Sequence, residues 1–175
     1  MKKYSLALIA FIMLAININA QKILPSDILI NQALKKAKSS NKKVFVIFHA
    51  SWCYWCRRMD SCMNDESTRS FFDRNFEIVH LTIMESNNKK DLENPGAIDV
   101  YKKYGGKDLS GIPYWLILSN DGNFIADARL PNGQNIGCPA TAREVDYFLE
   151  LLKKATVISP QELHAIELRF RKGQE

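Results

Sequence analysis

Cys53 and Cys56 stand three positions apart in the stretch Trp52-Cys53-Tyr54-Trp55-Cys56-Arg57-Arg58-Met59. Two thiols at that spacing can close into a disulfide and reopen, and their surroundings decide between electron exchange, metal holding and a static staple. Lys43 to Phe48, just before them, reads as a buried strand: short, β-branched and aromatic, with apolar residues at consecutive positions. A helical pattern follows, to about Met63. A thiol at the start of a helix meets unpaired backbone N–H groups and the positive end of the helix dipole, and both favour the thiolate.

Turning that helix by about 100° per residue separates the two cysteines. Trp55, Cys56, Met59, Cys62 and Met63 fall within one arc of roughly 120°, and Cys53, Arg57, Arg58 and Ser61 on the remaining circumference. The pattern predicts Cys56 at the edge of a buried stripe and Cys53 exposed at the solvent end of the first turn, with Arg57 and Arg58 adding positive charge. Cys53 is then the expected attacking nucleophile and Cys56 the resolving thiol. Cys62 rises about 9 Å from Cys56 and about 13.5 Å from Cys53, too far for a disulfide with either. It can pair with Cys138, in a loop between Gly137 and Pro139, or remain a small packed residue, which its place beside Met59 and Met63 favours.

The remaining elements form an alternating pattern. Ser26 is placed to cap a first helix carrying Ile30, Ala33, Leu34 and Ala37 on one side. Asp65 to Phe76 reads as an additional helix after the cysteine helix, with Phe71, Phe72 and Phe76 as its apolar edge. Ile78 to Met84 gives a second strand, Ala97 to Tyr104 a helix ended by glycines, and Tyr114 to Leu118 a third strand. Asn120-Asp121-Gly122-Asn123 supplies the turn of an antiparallel hairpin into Phe124 to Leu130. A loop over 131–139 leads to an amphipathic helix from Thr141 to Ala155, with Val145, Phe148, Leu149 and Leu152 buried. Ser159-Pro160-Gln161-Glu162 has capping-box form and opens a last helix. Strands alternating with helices and closed by a hairpin and a helix predict an α/β domain whose mixed sheet is covered on both faces.

The first twenty residues read as a secretory signal peptide: Lys2 and Lys3, an apolar run from Leu6 to Ile16, and a small residue, Ala20, before Gln21. An uncleaved N-terminal anchor is the other reading of the same residues, and no cysteine follows the run to carry a lipid. Export places the mature chain in the periplasm or outside the cell, where disulfides persist. Without Lys2 and Lys3 the formal charge falls from +5 to +3. That excess is scattered, with no basic stripe interleaved with aromatics, which argues against a nucleic-acid partner.

Trp52-Cys53-Tyr54-Trp55-Cys56 after an apolar strand, Gly111-Ile112-Pro113 before the strand at Tyr114, the Asn94-Pro95-Gly96 turn and the final hairpin together resemble the thioredoxin-like superfamily. The match covers roughly residues 32–154. Within the superfamily it is similar to exported bacterial thioredoxin-like proteins and to the C-terminal domain of the transmembrane electron transporter of the Dsb system. The resemblance implies a thioredoxin fold over residues 21–158, with the additional helix after the active-site helix and a C-terminal helical extension over 159–175. It implies a thiol-disulfide oxidoreductase that acts on protein thiols and disulfides, works with an upstream redox partner and needs no cofactor or metal. Cys53 and Cys56 would be catalytic, and Trp52, Tyr54, Trp55 and Pro113 would support them. Pro113 would be cis and face the disulfide, and Ile112 would offer its backbone to an extended substrate. Reduction or isomerisation is expected over net oxidation, because no thiolate-stabilising histidine lies between the cysteines.

The chain also departs from the family. Ile47 stands where thioredoxin has a buried aspartate, which leaves no carboxylate on that strand to take the proton of Cys56. His49 is the candidate substitute base, with a packed or solvent-facing histidine the plainer reading; His80 and His164 read as ordinary structural histidines. Two other functions fit parts of the pattern. Cys53, Cys56 and His49 could hold copper(I), although structural zinc would need a fourth ligand. A redox-inactive binding module would use an aromatic surface of Tyr54, Trp55 and Tyr114.

Overall fold

The computed structural model describes residues 23–105 and 111–172. The expected signal segment, residues 1–20, lies outside the described residues. Strand β1 (Lys43–His49) is buried on both faces along its middle because it lies inside the sheet, with β2 (Phe76–Thr82) parallel on one side and β3 (Tyr114–Leu118) antiparallel on the other. β4 (Phe124–Asp127) closes the far edge antiparallel to β3, giving the order β2-β1-β3-β4. A parallel neighbour requires a long crossover, here made of α2 (Tyr54–Met63) and α3 (Arg69–Asn75).

Alternation along the strands divides the apolar side chains between two layers. Phe45 points to one face, where its ring meets Phe76 and Trp115. Trp115 packs on Phe148 of α5 (Ala142–Ala155), and Phe148 on Phe170 of α6 (Pro160–Arg171). Phe48 points the other way, onto Tyr101 of α4 (Ala97–Gly105) and Tyr114. On that side α1 (Ser26–Ser40) buries Ala33 and Ala37. The mixed sheet flanked by helices, with α3 after the active-site helix and α6 at the C-terminus, is the thioredoxin-like architecture expected from the sequence. No helix among the described residues is long and apolar enough to cross a membrane.

Several boundaries differ from the sequence expectations, each for a local reason. Ser26 does not cap α1; it is the first helical residue, and Pro25 takes the cap position without a side-chain bond. The additional helix begins at Arg69 rather than Asp65, because Asp65 Oδ1 accepts from Ser67 N at 3.1 Å and Oγ at 2.7 Å, and Thr68 Oγ1 donates to Cys62 O at 2.5 Å. These bonds make 65–68 a turn. β2 runs two residues earlier than expected, since Asn94 Oδ1 takes the N–H of Thr82 at 2.7 Å and Met84 sits at φ 56°. β4 stops at Asp127, not Leu130. The Asp127 carboxylate turns inward to accept from Tyr114 Oη at 3.0 Å and from Arg129 N at 2.9 Å, which bends the chain out of the strand. α5 and α6 both carry full capping boxes, from Thr141 with Glu144 and from Ser159 with Glu162.

α6 is an integral part of the core. Ile166 and Phe170 are fully buried, Arg169 Nε donates to Asp65 Oδ2 at 2.6 Å, and Arg74 pairs with Glu162.

Candidate active site

β1 delivers the chain to a tight turn in which Cys53 N donates to Ala50 O at 3.0 Å. Cys53 is the N-cap of α2, extended at φ −75° and ψ 105°, and its Sγ accepts the N–H of Cys56 at 3.1 Å. The two cysteines form a disulfide with Cα atoms 5.3 Å apart. The cap position places the sulfur over the unpaired N–H groups of the first turn, where a thiolate is stabilised.

The expected exposure of Cys53 is corrected by the structure: Cys53 is only 4 % exposed, almost as covered as Cys56. As the cap, it lies before the helical turns, so the angular argument from an ideal helix does not place it. It packs with Ala50, Cys56 and Ile112 in a small cluster separate from the main core. The exposed residues are its aromatic neighbours, Trp52 at 56 %, Tyr54 at 64 % and Trp55 at 47 %. Trp55 was expected in the buried stripe; it sits in the first turn, where the arc that buries Met59, Cys62 and Met63 has not yet met the core. Tyr114, assigned to a possible aromatic surface, is instead fully buried. Burial, followed by the charge of Asp127, raises its phenol pKa.

Arg57 and Arg58 are both engaged elsewhere than at Cys53. Arg57 Nη1 donates to Ser51 O at 2.9 Å and braces the turn. Arg58 lies over the Trp55 ring at 5.6 Å and reaches Cys138 Sγ and the carbonyls of Pro139, Phe170 and Lys172. The same turn is held from the β2 side by a residue that pattern reading missed. Glu85 is a buried carboxylate that accepts from Ser51 N at 2.5 Å and Ser51 Oγ at 2.8 Å. Trp52 Nε1 donates to Met84 O at 2.8 Å, fixing the indole beside it.

Across the disulfide cluster stands the loop containing Ile112 and Pro113, joined by a cis peptide bond. Asn135 clasps this loop: its Nδ2 donates to Gly111 O at 3.2 Å and to Pro113 O at 3.1 Å, and its Oδ1 accepts from Gly137 N at 2.9 Å. An asparagine in a Gly-rich loop carries a turn signal in sequence, and nothing in the spacing reveals that it serves a turn more than twenty residues earlier. Trp55, Ile112, Pro113, Ile136 and Cys138 line a groove of about 340 Å³.

Ile47 pairs with His80 and Trp115 within the sheet, so the strand brings no carboxylate to Cys56. His49 Nε2 lies 3.2 Å from Thr82 Oγ1, and its ring stands edge-on to His80 with centroids 5.2 Å apart. Burial, then the charge of His80, lowers its pKa. His80 in turn contacts Asp60 Oδ1 at 2.8 Å. His164 is solvent-exposed on α6. No group of metal-ligating side chains that could hold an ion occurs among the described residues. Cys62 and Cys138 are buried free thiols.

Residues 30–132 match the thioredoxin-like domain family. No curated protein matches the chain. Among solved structures, a disulphide isomerase from Xylella fastidiosa Temecula1 is similar over 92 % of this chain and 100 % of its own, at 19 % identity and a TM-score of 0.52. The oxidised C-terminal domain of DsbD from Neisseria meningitidis aligns over 77 % of this chain and 99 % of its own, at 19 % identity and a TM-score of 0.46. A thioredoxin from Thermus thermophilus covers 74 % of this chain and 83 % of its own, at 16 % identity and a TM-score of 0.46. With its family match spanning more than half the sequence and a mixed sheet delivering a Cys-Tyr-Trp-Cys disulfide to a helix start, the chain belongs to the thioredoxin-like family.

Proposed function

We propose that the protein is an extracytoplasmic thiol-disulfide oxidoreductase acting on protein substrates as a reductase or isomerase. The observation that carries this reading is the Cys53–Cys56 disulfide at the start of α2, with the Cys56 N–H on Cys53 Sγ and Ile112 packed against the pair. In the reduced protein, the Cys53 thiolate attacks one sulfur of a substrate disulfide and expels the other half as a thiolate. Cys56 gives its proton to that leaving group. It then attacks Cys53 Sγ as the thiolate, re-forming the internal disulfide and releasing the second substrate half as a thiolate, which takes its proton from water. An upstream dithiol returns the pair to the reduced state.

Ile112 lies in the groove wall, where its backbone can pair with an extended substrate segment, and Pro113, Trp52, Tyr54 and Trp55 frame the approach. Because Ile47 replaces a carboxylate, proton transfer from Cys56 goes to the leaving thiolate or to water. Support for the fold on which this reading rests comes from the similar Xylella structure, itself named a disulphide isomerase. The leader over residues 1–20, a domain over 21–158 and an extension over 159–175 complete the proposal. The test is insulin reduction by the mature chain: Cys53→Ser should abolish turnover and Cys56→Ser should accumulate mixed disulfides. Unimpaired reduction by Cys53→Ser would overturn the assignment.

A further inference from the structure

Two cysteines remain outside this chemistry, and the fold brings them together. Cys62 lies on the buried side of α2, and Cys138 in the loop that forms the groove wall. Both lie in one buried core cluster, close enough for each thiol to shift the ionisation of the other, while Cys62 Sγ donates to Arg169 O at 3.8 Å and Cys138 Sγ to Pro139 O at 3.9 Å. Two guanidinium groups close over the pair: Arg58 Nη1 donates to Cys138 Sγ at 3.2 Å, and Arg169 Nη1 to Cys62 Sγ at 3.5 Å.

Buried structural cysteines in apolar surroundings are inert, whereas an adjacent cation makes a thiol reactive. Both arginines are held in place by their remaining donors. Arg58 Nη2 binds the carbonyls of Phe170 at 2.6 Å and Lys172 at 3.1 Å, and Arg169 binds Asp65 at 2.6 Å and Ser61 at 3.0 Å. The adjacent Cys138 thiol, followed by the charges of Arg169 and Arg58, outweighs burial and draws the Cys62 thiol down to about 7. The same neighbour, together with burial, raises Cys138, so Cys62 is the first of the two to ionise.

We infer that Cys62 and Cys138 are a second redox centre: a dithiol that exchanges with a disulfide presented in the groove beside Pro113 and closes into a bond tying the groove wall to α2. The inference goes beyond the Cys53–Cys56 chemistry and does not depend on it. Cys138 is the member of the pair that lines the groove. The Cys62 thiolate takes the proton of Cys138, and the resulting Cys138 thiolate, paired with Arg58, attacks a disulfide R–S–S–R. A Cys138–S–S–R bond forms as the R–S–S–R bond breaks, and RS⁻ leaves. Cys62 passes its proton to that RS⁻ and attacks Cys138 Sγ, expelling the second RS⁻. The protein pair loses two electrons and R–S–S–R gains them, yielding one RSH and one RS⁻.

The test equilibrates the native chain in glutathione buffers of rising oxidised fraction. The samples are then acid-quenched, alkylated after denaturation and mapped by peptide mass. The expected result is that the alkylated Cys62 and Cys138 peptides vanish together. One cross-linked peptide, lighter than their sum by two hydrogens, should replace them, with a midpoint of its own. A chain carrying Cys53→Ser and Cys56→Ser should show the same cross-link within about twofold in glutathione ratio, since the second pair needs no electrons from the first. Persistence of both thiols at the oxidising limit, or separate glutathione adducts with no cross-link, would overturn the inference. Insulin turnover is read independently, so failure of the Cys53–Cys56 assignment is distinguishable from failure of this one.

Discussion

Glu85 and Ser51 are joined by two hydrogen bonds, to the Ser51 N–H at 2.5 Å and to its hydroxyl at 2.8 Å, across 34 residues of sequence. Ser51 belongs to the turn that seats Cys53 as a helix cap, and Glu85 lies beyond the end of β2. A buried carboxylate thus fixes the approach to the disulfide from outside the helix, while Arg57 fixes it from within the helix through Ser51 O.

Removing the Glu85 side chain takes away the acceptor of the Ser51 N–H and hydroxyl, two hydrogen bonds at the surface end of the turn. Each hydrogen bond contributes about 0.5–1.5 kcal/mol net, so Glu85→Ala should lose about 1–3 kcal/mol of stability in urea unfolding. Glu85→Gln, which retains one acceptor, should lose less. Insulin turnover should fall further in Glu85→Ala than in Glu85→Gln, because the turn carrying Cys53 loosens. An unchanged urea midpoint in Glu85→Ala would show that the turn holds itself.

Asn135 faces two carbonyl oxygens, those of Gly111 and Pro113, with one amide nitrogen. Each neutral hydrogen bond contributes about 0.5–1.5 kcal/mol net, so Asn135→Ala should cost about 1–3 kcal/mol. An ionised aspartate accepts only and would set a negative charge against both carbonyls. Asn135→Asp should therefore be less stable than Asn135→Ala despite its near-identical shape. Because the clasp holds the groove wall, KM for a protein disulfide should rise more than kcat falls. Equal thermal midpoints for the Ala and Asp variants would refute the clasp.

Trp55 is half-exposed, lines the groove and lies beneath the Arg58 guanidinium. Trp55→Ala removes both the ring that a substrate can pack on and the surface that steadies Arg58. Aromatic and cation–π contacts of this kind are worth about 1–2 kcal/mol, so KM for insulin should rise by about 5- to 30-fold, and Trp55→Phe should recover most of the loss. A KM within experimental error of the native value for Trp55→Ala would place substrate contacts elsewhere.

The difference between what sequence showed and what it hid follows the range of the interactions. β1, β3 and α2 could be read locally, because five consecutive apolar residues or a 3.6-residue stripe is written within one segment. The Cys53–Cys56 pair was legible for the same reason. Cys53 itself was misplaced, since its exposure depends on Ile112, which arrives from another part of the chain. Glu85 and Asn135 were hidden for the same reason, and the approach of Cys62 to Cys138 stayed one of two alternatives: each is made only when the sheet is assembled. Arg58 shows this most clearly. On the helix it appears beside Cys53, yet its length and the open path toward α6 take it to Cys138 and Phe170.

The docking of α6 should also be visible as an acid-dependent loss of stability. Hydrogen bonds from the Ser67 side chain and backbone, and then from Arg169, hold Asp65 down at about 2, against an ordinary value of 3.8. The Ser159 backbone N–H, then Arg74, holds Glu162 at about 2, against 4.5. For a carboxylate whose folded pKa is depressed, the unfolded chain binds the proton first. Its contribution is therefore complete above the unfolded value and lost as pH falls through the folded one. Stability should hold above pH 4.5 and decline between 4.5 and about 2. Both groups are only half-buried at the surface, so solvent screens the effect, and the comparison between variants is the decisive reading. Glu162→Gln and Asp65→Asn should each start less stable near neutral pH and lose less on acidification. Parallel acid-unfolding curves for Glu162→Gln and the native chain would show that the cap of α6 and its pairing with Arg74 do not set the acid limit.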